Sequence, residues 1–224
     1  MRLISASAHT ADPEACPDCG LAYVHDSPSD QRLHADIHDE MVNGASAPLV
    51  DVQRIVKKYA EFEILLAETG VLRAEEELLE RAASNANCET QYDFGLFHAG
   101  DIEEAGTRVV WARAADRIAG LLLVDVTIRS AQQLPLVRLK EELEGRIAAT
   151  AEPRLNEVRA GIAYVWVLRK FRARGLARTL IKTVFELFDG GWHDIAFQKP
   201  LSTAAARLIY RTASSDACRE LLVY

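Results

Sequence analysis

The sequence predicts an α/β (α+β) domain with a central mixed sheet, preceded by a small metal-stabilised module. Three observations predict this order. Metal-ligand residues stand at a fixed spacing near the N-terminus, β-branched residues form a hairpin pattern over 107–126, and a strand leads through a basic, glycine-containing turn into an amphipathic helix over 161–188. At 224 residues the chain is long enough for both units.

The first element is a CxxC pair followed by an HxxxH pair. Cys16 and Cys19 offer two thiolates from a tight turn, and His34 and His38 lie one helical turn apart. This pattern predicts a tetrahedral Cys2His2 zinc site, in which His25 is an alternative to His34. The competing interpretation is a pair of buried thiols with unrelated surface histidines, but so short and weakly apolar a segment could not then fold by burial alone.

The helix that carries both histidines has a start signal of its own. Ser27, Pro28 and Asp30 are typical of an N-cap, a first helical residue and the acid of a capping box. Acidic residues exceed basic ones along this helix, which would repel DNA phosphates. The charged residues concerned are Asp30, Asp36, Asp39 and Glu40 against Arg32. We therefore predict a structural or protein-facing finger, whereas a DNA-binding finger would show steeply salt-dependent duplex binding.

The composition limits the partners further. A net charge of −7 and a pI near 5.4 argue against nucleic acid as the main partner. The sequence contains no apolar run that approaches a membrane span, and its first nine residues lack the order of a signal peptide. These features predict a soluble intracellular protein without membrane partners.

A composition change marks the predicted domain boundary. We expect the zinc finger over residues 1–43, a linker over 44–49 rich in small residues, and the larger domain over 50–224. Helical spacing of apolar residues predicts two amphipathic helices at the start of that domain, over 50–67 and 72–83. The following segment is polar and punctuated by glycine, with a short strand possible over 92–98.

The later elements alternate between strands and helices. The pattern predicts a hairpin from strands at 107–113 and 118–126, a helix over 139–148 inside a mixed connection, a strand at 161–168, a helix over 178–188, a strand at 194–197 and a final helix over 203–211.

The turn between strand 161–168 and the next helix has the pattern RxxGxA, from Arg172 to Ala177. Main-chain N–H groups at a helix N-terminus attract phosphate, and Gly175 allows a close approach. A solvated charge run is the alternative interpretation. Because the turn itself contains no lysine followed by Ser or Thr, it favours a pyrophosphate carrier such as coenzyme A over a hydrolysed nucleotide.

This order of elements resembles the GNAT superfamily of N-acetyltransferases and, more narrowly, the sister-chromatid cohesion establishment acetyltransferases. The resemblance covers the finger and nearly everything from Thr107 onward, whereas residues 46–106, a region predicted to be helical, are not matched to it. Besides the RxxGxA turn and the hairpin, it rests on Cys16-Pro17-Asp18-Cys19-Gly20-Leu21-Ala22-Tyr23, Tyr164-Val165-Trp166-Val167, Asp194-Ile195-Ala196-Phe197 before Pro200, and Leu221-Leu222-Val223-Tyr224.

The resemblance implies a GNAT-type fold and places acetyl-CoA along the strand at 161–168. The cofactor-binding residues that it implies are Val165, Trp166, Val167, Arg172, Ala173, Arg174, Gly175, Leu176, Ala177, Arg178, Leu201, Ser202 and Thr203. It also implies that Tyr210, in the last helix, donates a proton to the departing thiolate. The alternative for Tyr210 is an ordinary packed helix residue.

Two positions depart from the family pattern. Lys182 and Lys199 stand where the family usually has acids, and if charged they would favour a target with acidic surroundings. Presenting a neutral lysine near pH 7 costs about 4 to 5 kcal/mol, so a base normally assists. Asp125 is our first candidate base, and the others are Glu103, Glu104 and the pair His193-Asp194.

Together these features predict a zinc-finger-bearing N-acetyltransferase that transfers acetyl from acetyl-CoA to a protein lysine. By the resemblance the substrate would be the ATPase head of the cohesin ring, and the compartment cytoplasmic, or nuclear in a eukaryote. Two alternatives remain open: a catalytically degenerate module that binds acyl-CoA or a partner, and an acetyltransferase of a small-molecule amine.

Overall fold

The N-terminal module consists of two short strands and one helix. The computed structural model describes residues 12–47, 54–90, 102, 106–146, 154–199 and 201–224. Strands β1 (Glu14–Ala15) and β2 (Ala22–Tyr23) pair antiparallel, and helix α1 (Pro28–Asn43) follows. The predicted start of α1 is confirmed, because the Ser27 hydroxyl accepts the main-chain N–H of Asp30 and Pro28 is the first helical residue.

The larger unit is built on one mixed sheet with helices packed against it. Its strands are β3 (Ile55–Tyr59), β4 (Phe62–Ala67), β5 (Thr107–Ala114), β6 (Arg117–Asp125), β7 (Ser130–Pro135), β8 (Leu155–Glu157), β9 (Ala160–Val167), β10 (Ile195–Phe197) and β11 (Glu220–Val223). Its helices are α2 (Arg73–Thr90), α3 (Leu136–Leu143), α4 (Leu176–Leu187) and α5 (Thr203–Ser215). Within the described ranges the strand order is β3-β4-β5-β6-β9-β10-β11-β7-β8. Among these strands β9 pairs parallel with β10 and β10 with β11, and the other pairs are antiparallel.

The strand, turn and helix predicted over 161–188 are confirmed as β9, a short 3-10 turn at Arg169–Phe171 and α4. The apolar face predicted for α4 is buried, including Leu180, Ile181 and Val184, which are fully covered. The predicted hairpin at β5 and β6 is also confirmed, as are β10 and α5. This burial fixes α4 against the sheet and thereby fixes the turn that precedes it.

The predicted helix over 50–67 is wrong, because residues 55–67 form the β3–β4 hairpin. Ala60 turns the chain with a φ of 49°, and β4 pairs along its length with β5. Phe62, Ile64 and Leu65 are buried by that pairing, which outweighs the helical spacing of the apolar residues. The second predicted helix is confirmed as α2 and continues to Thr90.

Two further expectations differ in their bounds. The helix predicted over 139–148 is observed as α3, over 136–143, and strands β7 and β8 form within the stretch expected to be a mixed connection. The strand considered at 92–98 lies outside the described residues. None of the helices in the described ranges has the length and apolar character needed to cross a membrane.

Residues 44–47 of the predicted linker pack directly on the start of β6. The carbonyl of Ala45 accepts the N–H of Ile118 at 2.9 Å, and Ala47 donates to Asp116 at 2.6 Å. A Cβ at Gly44 would lie 2.1 Å from the Ile118 carbonyl oxygen, so only glycine allows this approach. These contacts seat the finger on the larger unit.

Candidate functional site

β9 and β10 diverge after a short parallel pairing and leave a wedge in the sheet. Their pairing covers only residues 160–162 of β9 against Ile195–Phe197. The N–H of Gln198 still reaches the carbonyl of Ile162 at 2.9 Å, after which the chain leaves toward α5. β9 continues to Val167, so its second half has no strand on the β10 side within the described ranges. Main-chain groups there are available to a bound molecule.

A cavity of about 440 Å³ opens at this wedge. The structure brings ten of the predicted cofactor-binding residues into its wall: Val165, Trp166, Val167, Arg172, Ala173, Gly175, Leu176, Ala177, Arg178 and Ser202. The wall also contains residues that were not predicted: Thr90, Phe171, Ala204, Ala205 and Leu208. Arg174, Leu201 and Thr203 do not line this cavity, and the last two line a neighbouring one of about 220 Å³.

The turn before α4 is shaped by two left-handed residues, Ala173 with φ 62° and Gly175 with φ 80°. The first N–H groups of α4, beginning at Leu176, lack acceptors within the helix and lie at the positive end of its dipole. A Cβ at Gly175 would lie 2.6 Å from the Tyr59 hydroxyl oxygen, and that hydroxyl donates to the Arg174 carbonyl at 3.0 Å. The β3–β4 hairpin therefore clamps a turn that suits an anion.

Two arginines of the turn are paired with carboxylates from other elements. Arg174 donates to Glu61 at 2.7 Å, and Arg178 lies 3.4 Å from Asp216. A hydrogen bond from its own main-chain N–H, together with the Arg174 guanidinium, lowers the pKa of the Glu61 carboxyl. A phosphate at this turn would thus be met by main-chain N–H groups within a frame of fixed guanidinium groups.

Sequence reasoning missed Glu89, near the C-terminal end of α2. Its carboxylate accepts the Trp166 indole N–H at 2.7 Å and a guanidinium N–H of Arg172 at 2.8 Å. Both donors belong to the cavity wall. No local signal marks this glutamate, because its partners lie about eighty residues away in the sequence.

The two lysines at the family's acidic positions are neutralised. Lys182 bonds to Asp216, which also accepts the Trp192 indole N–H at 2.8 Å. Burial alone would raise the pKa of Asp216, but these two bonds, together with the charges of Lys182 and Arg178, outweigh it and lower the pKa. Lys199 lies 3.3 Å from Glu142. Each lysine thus has a carboxylate partner, which weakens its repulsion of a cation. Neither lysine lines the 440 Å³ cavity.

The predicted catalytic pair is not brought into the cavity. Tyr210 lies four residues beyond Ala206 and seven beyond Thr203, a helical spacing that places it on their face of α5, and those two residues line the 220 Å³ cavity. Asp125 ends β6, where its carboxylate accepts the main-chain N–H of Thr127 at 2.7 Å and the Thr127 hydroxyl at 2.6 Å. It stands opposite Gly161 in the sheet, at the narrow end of the wedge.

The other candidate bases are Glu103, Glu104 and the pair His193-Asp194. Glu103 and Glu104 lie outside the described residues, and the His193-Asp194 pair does not line the cavity. Asp194, which follows His193, accepts the main-chain N–H of Gly191 at 2.9 Å and lines an open depression beyond the C-terminal end of α4. The position of Asp194 does not support a direct proton-transfer role at the wedge.

The predicted metal ligands come together in the finger. The ligand atoms of Cys16, Cys19, His34 and His38 all lie within 4.8 Å of one another. Cys19 Sγ is 3.4 Å from His34 Nε2, and Cys16 Sγ is 4.0 Å from His38 Nε2. Tetrahedral zinc separates sulfur and nitrogen ligands by about 3.6 Å, so the set fits zinc. His25, the alternative ligand, is not in this group.

Comparisons with known proteins agree with this geometry. Residues 4–40 match the family described as the zinc-finger of acetyl-transferase ESCO. The fold is similar to that of the xEco2 acetyltransferase domain bound to a K105-CoA conjugate, with a TM-score of 0.56 and 17% identity over 76% of this chain and 97% of that one. The xEco2 acetyltransferase domain without that conjugate gives a TM-score of 0.54 at 17% identity, covering 76% of this chain and 95% of that one. No curated protein matches the sequence. The predicted resemblance is confirmed: residues 4–40 match that zinc-finger family, and the fold is similar to that of the xEco2 acetyltransferase domain.

Proposed function

We propose that this chain is an acetyl-CoA-dependent N-acetyltransferase that acts on a protein lysine. The observation that carries the proposal is the cavity at the β9–β10 wedge, whose wall contains both the open edge of β9 and the RxxGxA turn. Support also comes from the fold, which is similar to that of an acetyltransferase domain bound to a CoA conjugate.

Acetyl-CoA would bind with its pyrophosphate at the turn and its pantetheine arm beside β9. The N–H groups at the start of α4 meet the diphosphate, with Gly175 and Ala173 shaping the turn. The apolar part of the arm contacts side chains from β9 and α5, such as Val165 and Leu208. A main-chain N–H in the second half of β9 stabilises the oxyanion that forms on the thioester.

In the transfer step the lysine nitrogen attacks the thioester carbonyl carbon. A C–N bond forms, the C–S bond breaks, the nitrogen loses one proton and the CoA thiolate gains one. The chain contributes mainly by holding the amine against the thioester, because such orientation supplies a large part of the rate. Asp125 as base and Tyr210 as acid remain sequence-based proposals, because neither side chain lines the 440 Å³ cavity.

The identity of the substrate is the part of the proposal that depends least on the fold. A protein lysine, with a cohesin-type protein as the first candidate, follows from the resemblance, and the pairing of Lys182 with Asp216 and of Lys199 with Glu142 weakens the need for acidic surroundings at the target. The acidic finger helix argues against duplex DNA as a partner. A small-molecule amine is the competing acceptor.

The test is turnover with the zinc-loaded chain. Incubation with acetyl-CoA and lysine peptides is expected to release free CoA thiol and to add one acetyl group to the peptide, as followed by thiol detection and mass spectrometry. Peptides with the lysine methylated to a quaternary ammonium should give neither signal. Acetylation of small amines alone would contradict the protein-lysine assignment.

One observation favours a second candidate, a CoA-binding module without catalysis. Both family acids are replaced by lysines held in ion pairs, and the predicted acid Tyr210 lies off the cavity. That protein would bind acetyl-CoA and acetylate neither itself, peptides nor amines, so the same assay separates the two candidates.

A further inference from the structure

Glu89 is a buried carboxylate in a part of the chain that the family resemblance does not cover. Its side chain is only 7% exposed, whereas its two arginine partners are about half exposed. It belongs to the last turn of α2, and the next residue, Thr90, lines the 440 Å³ cavity. A buried carboxylate is retained only when donors satisfy it, and here the donors belong to β9 and to the turn that follows it.

Three groups donate to this carboxylate. One oxygen accepts the Trp166 indole N–H at 2.7 Å and Arg172 at 2.8 Å, and the other accepts Arg169 at 3.2 Å. Burial, followed by the negative charge of Glu89, raises the pKa of Tyr164, whose side chain lies on the same face of β9 as Trp166. With both oxygens hydrogen-bonded and its side chain largely covered, Glu89 acts as a support for the groups that donate to it.

Arg172 is fixed from two directions. Its Nε–H donates to the Val167 carbonyl at 2.8 Å, while its Nη2 donates to the Glu89 carboxylate at 2.8 Å. Trp166 has its indole plane oriented by the same carboxylate oxygen. Trp166 comes before the bend where β9 leads into the turn, and Arg172 comes after it. Glu89 therefore sets the shape of the cavity wall where the β9 strand meets the turn that would receive phosphate.

We propose that Glu89 is a positioning residue for the cofactor, which from α2 holds Trp166 and Arg172 in the geometry that receives the CoA pyrophosphate and the upper pantetheine arm. This proposal rests on the proposed acetyl-CoA binding. Arg169, the third donor, extends the contact to the finger, since its guanidinium lies 3.2 Å from where a Cβ of Gly20 would be. The carboxylate thereby joins α2, β9, the basic turn and the edge of the finger.

The experiment compares Glu89→Gln with Glu77→Gln, a matched change on the same helix whose carboxylate makes an exposed pair with Arg73. In the zinc-loaded full chain, E89Q is expected to raise the Kd for CoA and the KM for acetyl-CoA by about tenfold while kcat changes by less than about threefold. E77Q is expected to leave both constants within about twofold. The indole N–H resonance of Trp166, assigned by its loss in Trp166→Phe, should move in E89Q only.

The outcomes separate this proposal from the one it depends on. If the native chain binds no CoA, acetyl-CoA binding itself fails. If the native chain binds and folded E89Q binds equally well, Glu89 is not a positioning residue. Should E89Q fail to fold, Glu89→Asp keeps the charge but shortens the reach, and it must show the same rise in Kd. Failure of both variants to fold would assign Glu89 to the core and overturn the positioning role.

Discussion

Replacing Gly175 by alanine is expected to loosen the turn that receives the CoA pyrophosphate. The native φ of 80° is left-handed, which costs a residue with a side chain about 1 to 2 kcal/mol. The new Cβ would also lie 2.6 Å from the Tyr59 hydroxyl oxygen, and relief of that clash breaks the 3.0 Å bond from Tyr59 to the Arg174 carbonyl, worth about 1 kcal/mol.

These two costs give measurable shifts. A total of about 2 kcal/mol lowers Tm by about 4 to 8 °C in a chain of this size. Because alanine disfavours the left-handed conformation that leads the turn into α4, we also expect the loss of one charge-assisted hydrogen bond to the diphosphate, which raises the Kd for CoA about tenfold. Thermal unfolding and calorimetric titration of Gly175→Ala measure both.

Gly145→Ala is the matched control. Its φ is 72°, but no atom lies within 4 Å of its would-be Cβ, so only the backbone cost applies and the Kd should stay within about twofold. Tyr59→Phe in the Gly175→Ala background removes the clashing oxygen and should recover part of the Tm. The reasoning is refuted if Gly175→Ala binds CoA as tightly as the native chain, or if Gly145→Ala weakens binding equally.

Three further changes test other parts of the structure. Chelation of zinc, or Cys19→Ser, should abolish the helical circular dichroism of the finger before the rest unfolds, because metal supplies its folding free energy, and an unchanged spectrum would contradict this. Asp216→Asn should destabilise the protein by about 2 kcal/mol at pH 7, since it breaks the charged bond to Lys182. The pKa of Asp216 is lowered by folding, so its contribution is present above pH ~3.9 and is lost as the pH falls through the lower folded value. The Tm difference between native and variant should therefore shrink in acid, and a constant difference would count against the assignment. Tyr210→Phe should lower kcat by about a hundredfold, because the proposed proton donor to the CoA thiolate is lost, and a change within about threefold would contradict that role.

The sequence alone was sufficient to predict the structure where a short local pattern determines the geometry. The spacing of Cys16, Cys19, His34 and His38 defines a four-ligand site almost independently of the rest of the chain. The turn around Gly175 was also predictable, because a strand, a glycine and an amphipathic helix follow one another without interruption. In both cases the residues that carry the chemistry are neighbours in the sequence.

The sequence alone was insufficient to predict the structure where residues distant in the chain decide the conformation or the contacts. Phe62, Ile64 and Leu65 fit a helical spacing as well as a strand, and pairing with β5 decides between them. Glu89 gained its significance from Trp166 and two arginines that are far away in the chain. The spacing along α5 groups Tyr210 with particular neighbours, but it could not say which face of the helix turns toward the wedge.

Calorimetric titration of the zinc-loaded chain with acetyl-CoA tests the central claim most directly. A diphosphate held at the start of α4 and an arm lying beside β9 predict saturable binding at a single site per chain, weakened when Gly175 becomes alanine. An absence of binding heat at several temperatures, or tight binding that Gly175→Ala leaves unchanged, would contradict the claim.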